Sequence, residues 1–141
     1  MSEDPTKDFQ PVFWATKRVL AHASATAFSR HGVYEGQQYV LQCLWAEDGL
    51  TPGEVAKRLG LATATVTRAT TRMEAVGLLR REPHERDRRL VRLFLTERGR
   101  ALETEIAREM DRLSERALSS LDSAERAALV QALHSIRKNL A

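Results

Sequence analysis

Two short capped helices separated by a three-residue turn, a pair of apolar strands directly behind them, and long apolar stripes toward both ends predict a mainly α (α+β) fold. The arrangement they define is a winged helix-turn-helix over residues 36–96, flanked by dimerisation helices at residues 9–31 and 97–141. At 141 residues and 43% hydrophobic content, the chain is expected to form a single domain, residues 1–141, around one core.

In chain order, residues from about Phe9 to Arg30 run as a helix, with Val12, Thr16, Val19, Ala23 and Ala27 on one stripe and Phe13, Leu20 and Phe28 beside it. His31-Gly32 closes it. A second helix, roughly Gly36 to Glu47, presents Val40, Leu41, Leu44 and Trp45 before an Asp48-Gly49 turn. Thr51-Pro52-Gly53-Glu54 combines a threonine N-cap, proline at the first helical position and glutamate three residues past the cap. This capping box opens a short helix to about Leu59, which Gly60 ends. After Gly60-Leu61-Ala62 a fourth helix runs from about Thr63 to Val76, with Val66, Ala69, Met73 and Val76 inward and Gly77 as its stop.

The period then changes. Leu78 to Arg81 and Val91 to Leu95 read as strands, the second alternating Val91, Leu93 and Leu95 against Arg92 and Phe94, and the polar loop Glu82 to Arg89 between them makes a wing. Thr96 caps a long helix, about Glu97 to Leu121, whose Leu102, Ile106, Met110, Leu113, Ala117 and Leu121 recur at steps of four and three. Asp122-Ser123-Ala124-Glu125 is a second capping box, opening a last helix with Leu129, Leu133, Ile136 and Leu140 at the same steps. A wing-bearing core of about 65 residues cannot cover these stripes together with Phe9, Val12, Phe13 and Trp14. The terminal helices are therefore expected to interlock with those of a second copy across a two-fold axis.

Net charge is only +3, but its distribution is uneven: between Thr51 and Arg100 stand 12 basic residues against 6 acidic ones. A basic, arginine-rich middle between acidic flanks fits a polyanion, because the guanidinium fork matches phosphates and guanine. No stretch approaches the run of about twenty apolar residues that spans a membrane, and the start Met1-Ser2-Glu3-Asp4 lacks the order of a signal peptide, so a cytoplasmic location is expected. The single Cys43 excludes an internal disulfide and a thiolate zinc site. No metal or other cofactor is called for. Catalysis finds no support either: there is no glycine-rich phosphate loop or nucleophile motif, and His84-Glu85 lacks a second histidine because Arg88 stands at that place.

The exposed positions of the fourth helix carry small hydroxyl and arginine side chains: Thr63, Ala64, Thr65, Thr67, Arg68, Thr71 and Arg72. In a major groove, Thr65, Thr67 and Arg68 are placed for base edges, and Thr63, Thr71 and Arg72 for phosphates. Five threonines in nine residues disfavour a helix, which argues for a surface composed for binding. In the wing, Arg86, Asp87, Arg88 and Arg89 set three arginines around one aspartate, a group suited to an electronegative minor groove.

The helix-turn-helix, the Asp87-Arg88-Arg89 wing, the following Leu95-Thr96-Glu97-Arg98-Gly99 and the later Leu121-Asp122-Ser123-Ala124-Glu125 resemble the multiple-antibiotic-resistance regulator (MarR) family, over about Gly36 to Leu140. The resemblance implies a single MarR-like domain that forms an obligate homodimer, with first, fifth and sixth helices interlocked. It implies two winged units entering consecutive major grooves of a palindromic operator in double-stranded DNA, with Asp87 orienting Arg89 toward the minor groove. Two departures stand out. Ala62 replaces the usual serine-type cap, leaving Thr63 as the expected cap, and Val33-Tyr34-Glu35-Gly36-Gln37 replaces the Leu-Thr common before the second helix.

Family members are commonly repressors released from DNA by a small aromatic or lipophilic effector or by cysteine oxidation. Trp14, His22 and Tyr39, with apolar bodies and polar tips, are the candidates to line an effector site, with ordinary core or interface residues as the alternative reading of each. Cys43 sits among Val40, Leu41, Leu44 and Trp45, a place that favours an inert thiol, with a thiol-based redox-responsive regulator through Cys43 as the alternative. The principal rival is a winged helix used only for protein contacts, which has no need of arginines on both the fourth helix and the wing.

Overall fold

The computed structural model describes residues 2–34 and 36–141. Among them the elements run α1 (Pro5–Ser29), α2 (Gln37–Ala46), α3 (Pro52–Leu59), α4 (Thr63–Ala75), β1 (Leu79–Pro83), β2 (Val91–Leu95), α5 (Glu97–Ala117) and α6 (Ser123–Leu140). This is the mainly helical winged helix-turn-helix that the periodicities predict. The chain divides into two compact units, one running to Glu109 and the other from Met110 to Ala141.

In the first unit α1 starts four residues before the expected Phe9, because Asp4 caps it by accepting from Thr6 N and Pro5 occupies the first turn. Pro11 lies inside the helix without ending it. Only Ala27 and Phe28 of the long α1 stripe are buried. Gly36 caps α2 in the left-handed region at φ 80°; Glu35, part of the stretch that departs from the family pattern, lies outside the described residues. At α3 both halves of the capping box form: Thr51 Oγ1 accepts from Glu54 N at 3.2 Å and Thr51 N donates to Glu54 Oε1 at 3.3 Å. Gly60 ends the helix at φ 66°, a backbone that favours glycine.

Two expectations about α4 are corrected. Thr63 does not cap it: the N-cap is Ala62, with no side-chain hydrogen bond, and its carbonyl receives Thr65 N and Val66 N. Val76 does not face inward but is half exposed, and Thr70 is fully buried beside Val66 and Met73. Thr70 Oγ1 lies 2.9 Å from Val66 O, so its hydroxyl is satisfied inside the helix and only its methyl needs the core.

The hairpin pairs Leu79 with Leu95 and Arg81 with Leu93, running antiparallel to Pro83 opposite Val91. β1 therefore begins one residue later and extends two residues further than the alternation suggests. Leu50 adds a short bridge on the far side of β2, where Leu93 N donates to Leu50 O and Gly49 N donates to Leu93 O. Leu41, Leu44, Val55, Val66, Met73, Leu78, Leu79, Leu93, Leu95, Leu102 and Ile106 form the core. The first half of α5 closes it.

α5 ends at Ala117 rather than near Leu121. In the second unit Arg126 donates to Leu118 O and Leu121 O and pairs with Glu115 at 3.0 Å, holding the turn into α6. Asp122 and Glu125 form the expected capping box. None of α6 is buried, and Leu129, Val130, Leu133 and Leu140 are exposed.

Candidate nucleic-acid interface

The helix expected to read DNA presents the side chains named for it. Thr63, Ala64, Thr65, Arg68, Thr71 and Arg72 are exposed, and Thr67 is half-buried. Arg81 of β1, absent from the sequence-based set, braces this helix: its Nη2 lies 2.7 Å from Thr71 Oγ1, 3.1 Å from Thr70 Oγ1 and 3.2 Å from Thr67 O. Its backbone N–H donates to Glu74 Oε2, so one residue ties the strand to α4 twice. Part of the threonine content is thus structural, and the Thr71 hydroxyl is already engaged. The alternation of β1 contained the signal, since Arg81 shares the inward face with Leu79.

Arg98 Nη1 donates to Val76 O at 2.9 Å, satisfying a carbonyl at the C-terminal end of α4. Between the start of α2 and the outer face of α4 lies a groove of about 430 Å³ lined by Tyr34, Gln37, Thr65, Arg68, Arg72 and Val76. Three of the proposed reading residues border it.

The wing is a closed turn. His84 N donates to Leu90 O and Leu90 N to Asp87 O, while Arg86 N and Asp87 N both donate to His84 Nδ1 at 3.1 Å. Asp87 accepts from Arg89 N and Nε through Oδ1 and from Arg89 Nη2 through Oδ2, each at 3.1 Å. The carboxylate grips the guanidinium fork, and the Arg89 side chain is 89% exposed. These bonds from Arg89 hold the Asp87 carboxyl below its usual range. Arg86 and Arg88 are also exposed.

Arg92 fixes the base of the wing by pairing with both oxygens of Glu85 at 2.8 Å and donating to Gly49 O at 3.0 Å. Its hydrogen bonds bring the Glu85 carboxyl down to about 2. Asp48 links the other end: Oδ1 accepts from Leu95 N and Oδ2 from Arg100 Nη2. Helix and wing are thereby braced to one scaffold with their arginine tips outward.

Trp14 and Tyr39 are half exposed and His22 is exposed, and none of the three lines the α2–α4 groove. Lys17 Nζ sits 5.1 Å from the Trp14 ring centre. Cys43 packs against the core, and burial pushes its thiol up against the opposing pull of Arg58, so the thiolate is scarce at neutral pH. No helix among the described residues is long and apolar enough to cross a membrane.

A domain of the winged helix-turn-helix regulator class fits this geometry, and comparison with known proteins defines the class further. The MarR family model matches residues 33–91. The HTH-type transcriptional regulator MgrA of Staphylococcus aureus is 31% identical over 77% of this chain and 74% of its own length. The chain belongs to the MarR family of transcription regulators, and these relatives are regulators, not enzymes. The HTH-type transcriptional regulator TtmR of Methylorubrum extorquens (strain PA1) is 33% identical over 90% of this chain, which spans only 64% of that protein. A MarR transcriptional regulator from Methanosarcina mazei Go1 superposes with TM-score 0.80 at 26% identity, covering 94% of this chain and 96% of the other. A Listeria monocytogenes structure assigned to the same family, complexed with a 26mer DNA, shares the fold with TM-score 0.72 at 24% identity, over 99% and 90% of the two chains.

Proposed function

We propose that the chain is a homodimeric repressor that reads a palindromic operator in double-stranded DNA and leaves it when a small aromatic or lipophilic effector binds. The observation that carries this reading is the pair of outward arginine surfaces on one braced scaffold: Arg68 and Arg72 on α4, and Arg89 held by Asp87 on the wing. A surface for protein contacts alone needs no such coincidence. The DNA complex of the Listeria relative supports the same use of the fold.

In this reading residues 36–96 bind DNA, and residues 9–31 and 97–141 join two copies. Thr65, Thr67 and Arg68 meet base edges, with Ala64 on the same face. Thr63 and Arg72 meet phosphates, Thr71 does so only if its hydroxyl leaves Thr67 O, and Arg86, Arg88 and Arg89 enter or flank the minor groove. The effector would reach Trp14, His22 and Tyr39, which α1 and α2 leave exposed. The protein would act in the cytoplasm, where its operator is.

The test is selection of duplexes from a random pool by the purified protein. Two half-sites about one helical turn apart are expected. Arg68→Ala is expected to relax base preference and cost about 1–3 kcal/mol, and Arg89→Ala to weaken binding at flanking A·T-rich positions. Unchanged affinity in both variants would overturn the contact map. Adding a panel of small aromatic acids and phenols to the bound complex tests the effector.

A further inference from the structure

His84 is the one wing side chain whose role depends on being uncharged. Its Nδ1 accepts two backbone N–H groups, those of Arg86 and Asp87, each at 3.1 Å. An imidazole nitrogen can accept only without a proton, so these two bonds require an unprotonated Nδ1. Those two N–H groups belong to the turn that aims Arg89, because Asp87 grips the Arg89 fork. The other ring nitrogen lies 3.4 Å from Arg92 Nη2.

A second proton on the ring would convert the Nδ1 acceptor into a donor facing two donors. It would also set a positive charge beside the Arg92 guanidinium. Glu85 and Asp87 both attract a charge on the ring, but each is hydrogen-bonded elsewhere, Glu85 to Arg92 and Asp87 to Arg89, and neither can take the place of the Nδ1 acceptor.

We propose that His84 is a positioning residue for DNA binding: its unprotonated Nδ1 folds the wing tip that aims Arg89, and proton uptake by His84 releases the tip. The inference rests on the DNA-binding reading above. Its sign is distinctive. A histidine near DNA ordinarily strengthens binding to the polyanion when it gains charge, whereas His84 weakens it. The neighbouring carboxyls do not confuse the effect, since Glu85 sits at about 2 and Asp87 is held below its usual range. Neither carboxyl changes charge between about pH 8 and 5.5.

The experiment measures affinity for the duplex selected at pH 8, by fluorescence anisotropy at fixed ionic strength from pH 8 to 5.5. Affinity of the wild type should fall about fivefold or more, the cost of losing a turn hydrogen bond. His84→Asn, whose amide oxygen can accept the same two N–H groups, should bind at pH 8 within about twofold of wild type and lose the pH dependence. His84→Phe should bind at every pH as the wild type does at pH 5.5. A wild-type profile that is flat or rises on acidification, or one retained by His84→Asn, would overturn the proposal. The free protein supplies an independent readout: the backbone amide resonances of Arg86 and Asp87 should titrate in wild type and not in His84→Asn. Failure of the protein to retain any duplex, with those amides still titrating, would remove the DNA reading and leave the His84 turn standing.

Discussion

Gly99 stands in the first turn of α5, where the helix passes closest to the hairpin. A Cβ added there would lie 2.1 Å from Leu78 O and 3.2 Å from Leu95 Cδ2. The backbone oxygen cannot move aside cheaply, because Thr96 N donates to it, and Trp45 Nε1 donates to Gly99 O from α2. Glycine to alanine inside a helix ordinarily stabilises by about 1 kcal/mol. Here overpacking, at about 3 kcal/mol, exceeds that gain. Gly99→Ala is expected to lower stability by about 2 kcal/mol in urea denaturation at matched protein concentration, and a more stable variant would contradict the contact.

At this scale the sequence disclosed the side chains that point outward and hid those that brace. Arg68 and Asp87-Arg89 are legible because composition and short spacing mark them. Arg81, Asp48 and Arg92 act through partners 14, 47 and 43 positions away along the chain, at Thr67, Leu95 and Gly49. Only the folded register brings those partners into reach.

Among the elements, α3 shows how local chemistry makes a boundary readable. Thr51 and Glu54 satisfy each other's backbone groups within four residues, so the motif specifies the helix start without tertiary help. Thr51 is also buried, which leaves no water to replace its oxygen. Thr51→Ala is expected to cost about 1–2 kcal/mol, and Thr51→Ser, which keeps the oxygen, less than half of that. Paired thermal melts check it, and equal losses for the two variants would assign the cost to packing.

Boundaries set by other means were less legible. The apolar steps of α5 continue through Leu121, yet the helix stops at Ala117, because Arg126 from the next helix draws in the carbonyls of Leu118 and Leu121. At α4, apolar pattern alone put Val76 inside; the satisfied hydroxyl of Thr70 and the brace from Arg81 place the threonine there instead.

On the scale of the whole molecule, the apolar side chains without cover decide what the chain does next. Phe9, Val12, Phe13, Trp14 and Leu20 of α1 and Leu129, Val130 and Leu133 of α6 are each between 36% and 52% exposed. Covering the exposed half of such a side chain is worth about 1 kcal/mol. Eight of them in each of two copies release about 16 kcal/mol gross, against an association cost of about 4–15 kcal/mol. A second copy is therefore the proposed cover, and it would also supply the second half-site contact. Replacing Leu129 and Leu133 together by aspartate tests this without touching the core, since no residue of α6 is buried. Sedimentation at micromolar concentration should show a dimer for wild type and a monomer for the double variant. Affinity for a duplex with both half-sites should then fall about a hundredfold or more as the second contact loses its effective concentration. Affinity for a single half-site should change less than about twofold, because residues 36–96 are untouched. A wild-type chain that sediments as a monomer, or a double variant that still sediments as a dimer, would locate the joining surface elsewhere and dissociate the apolar stripes from DNA recognition.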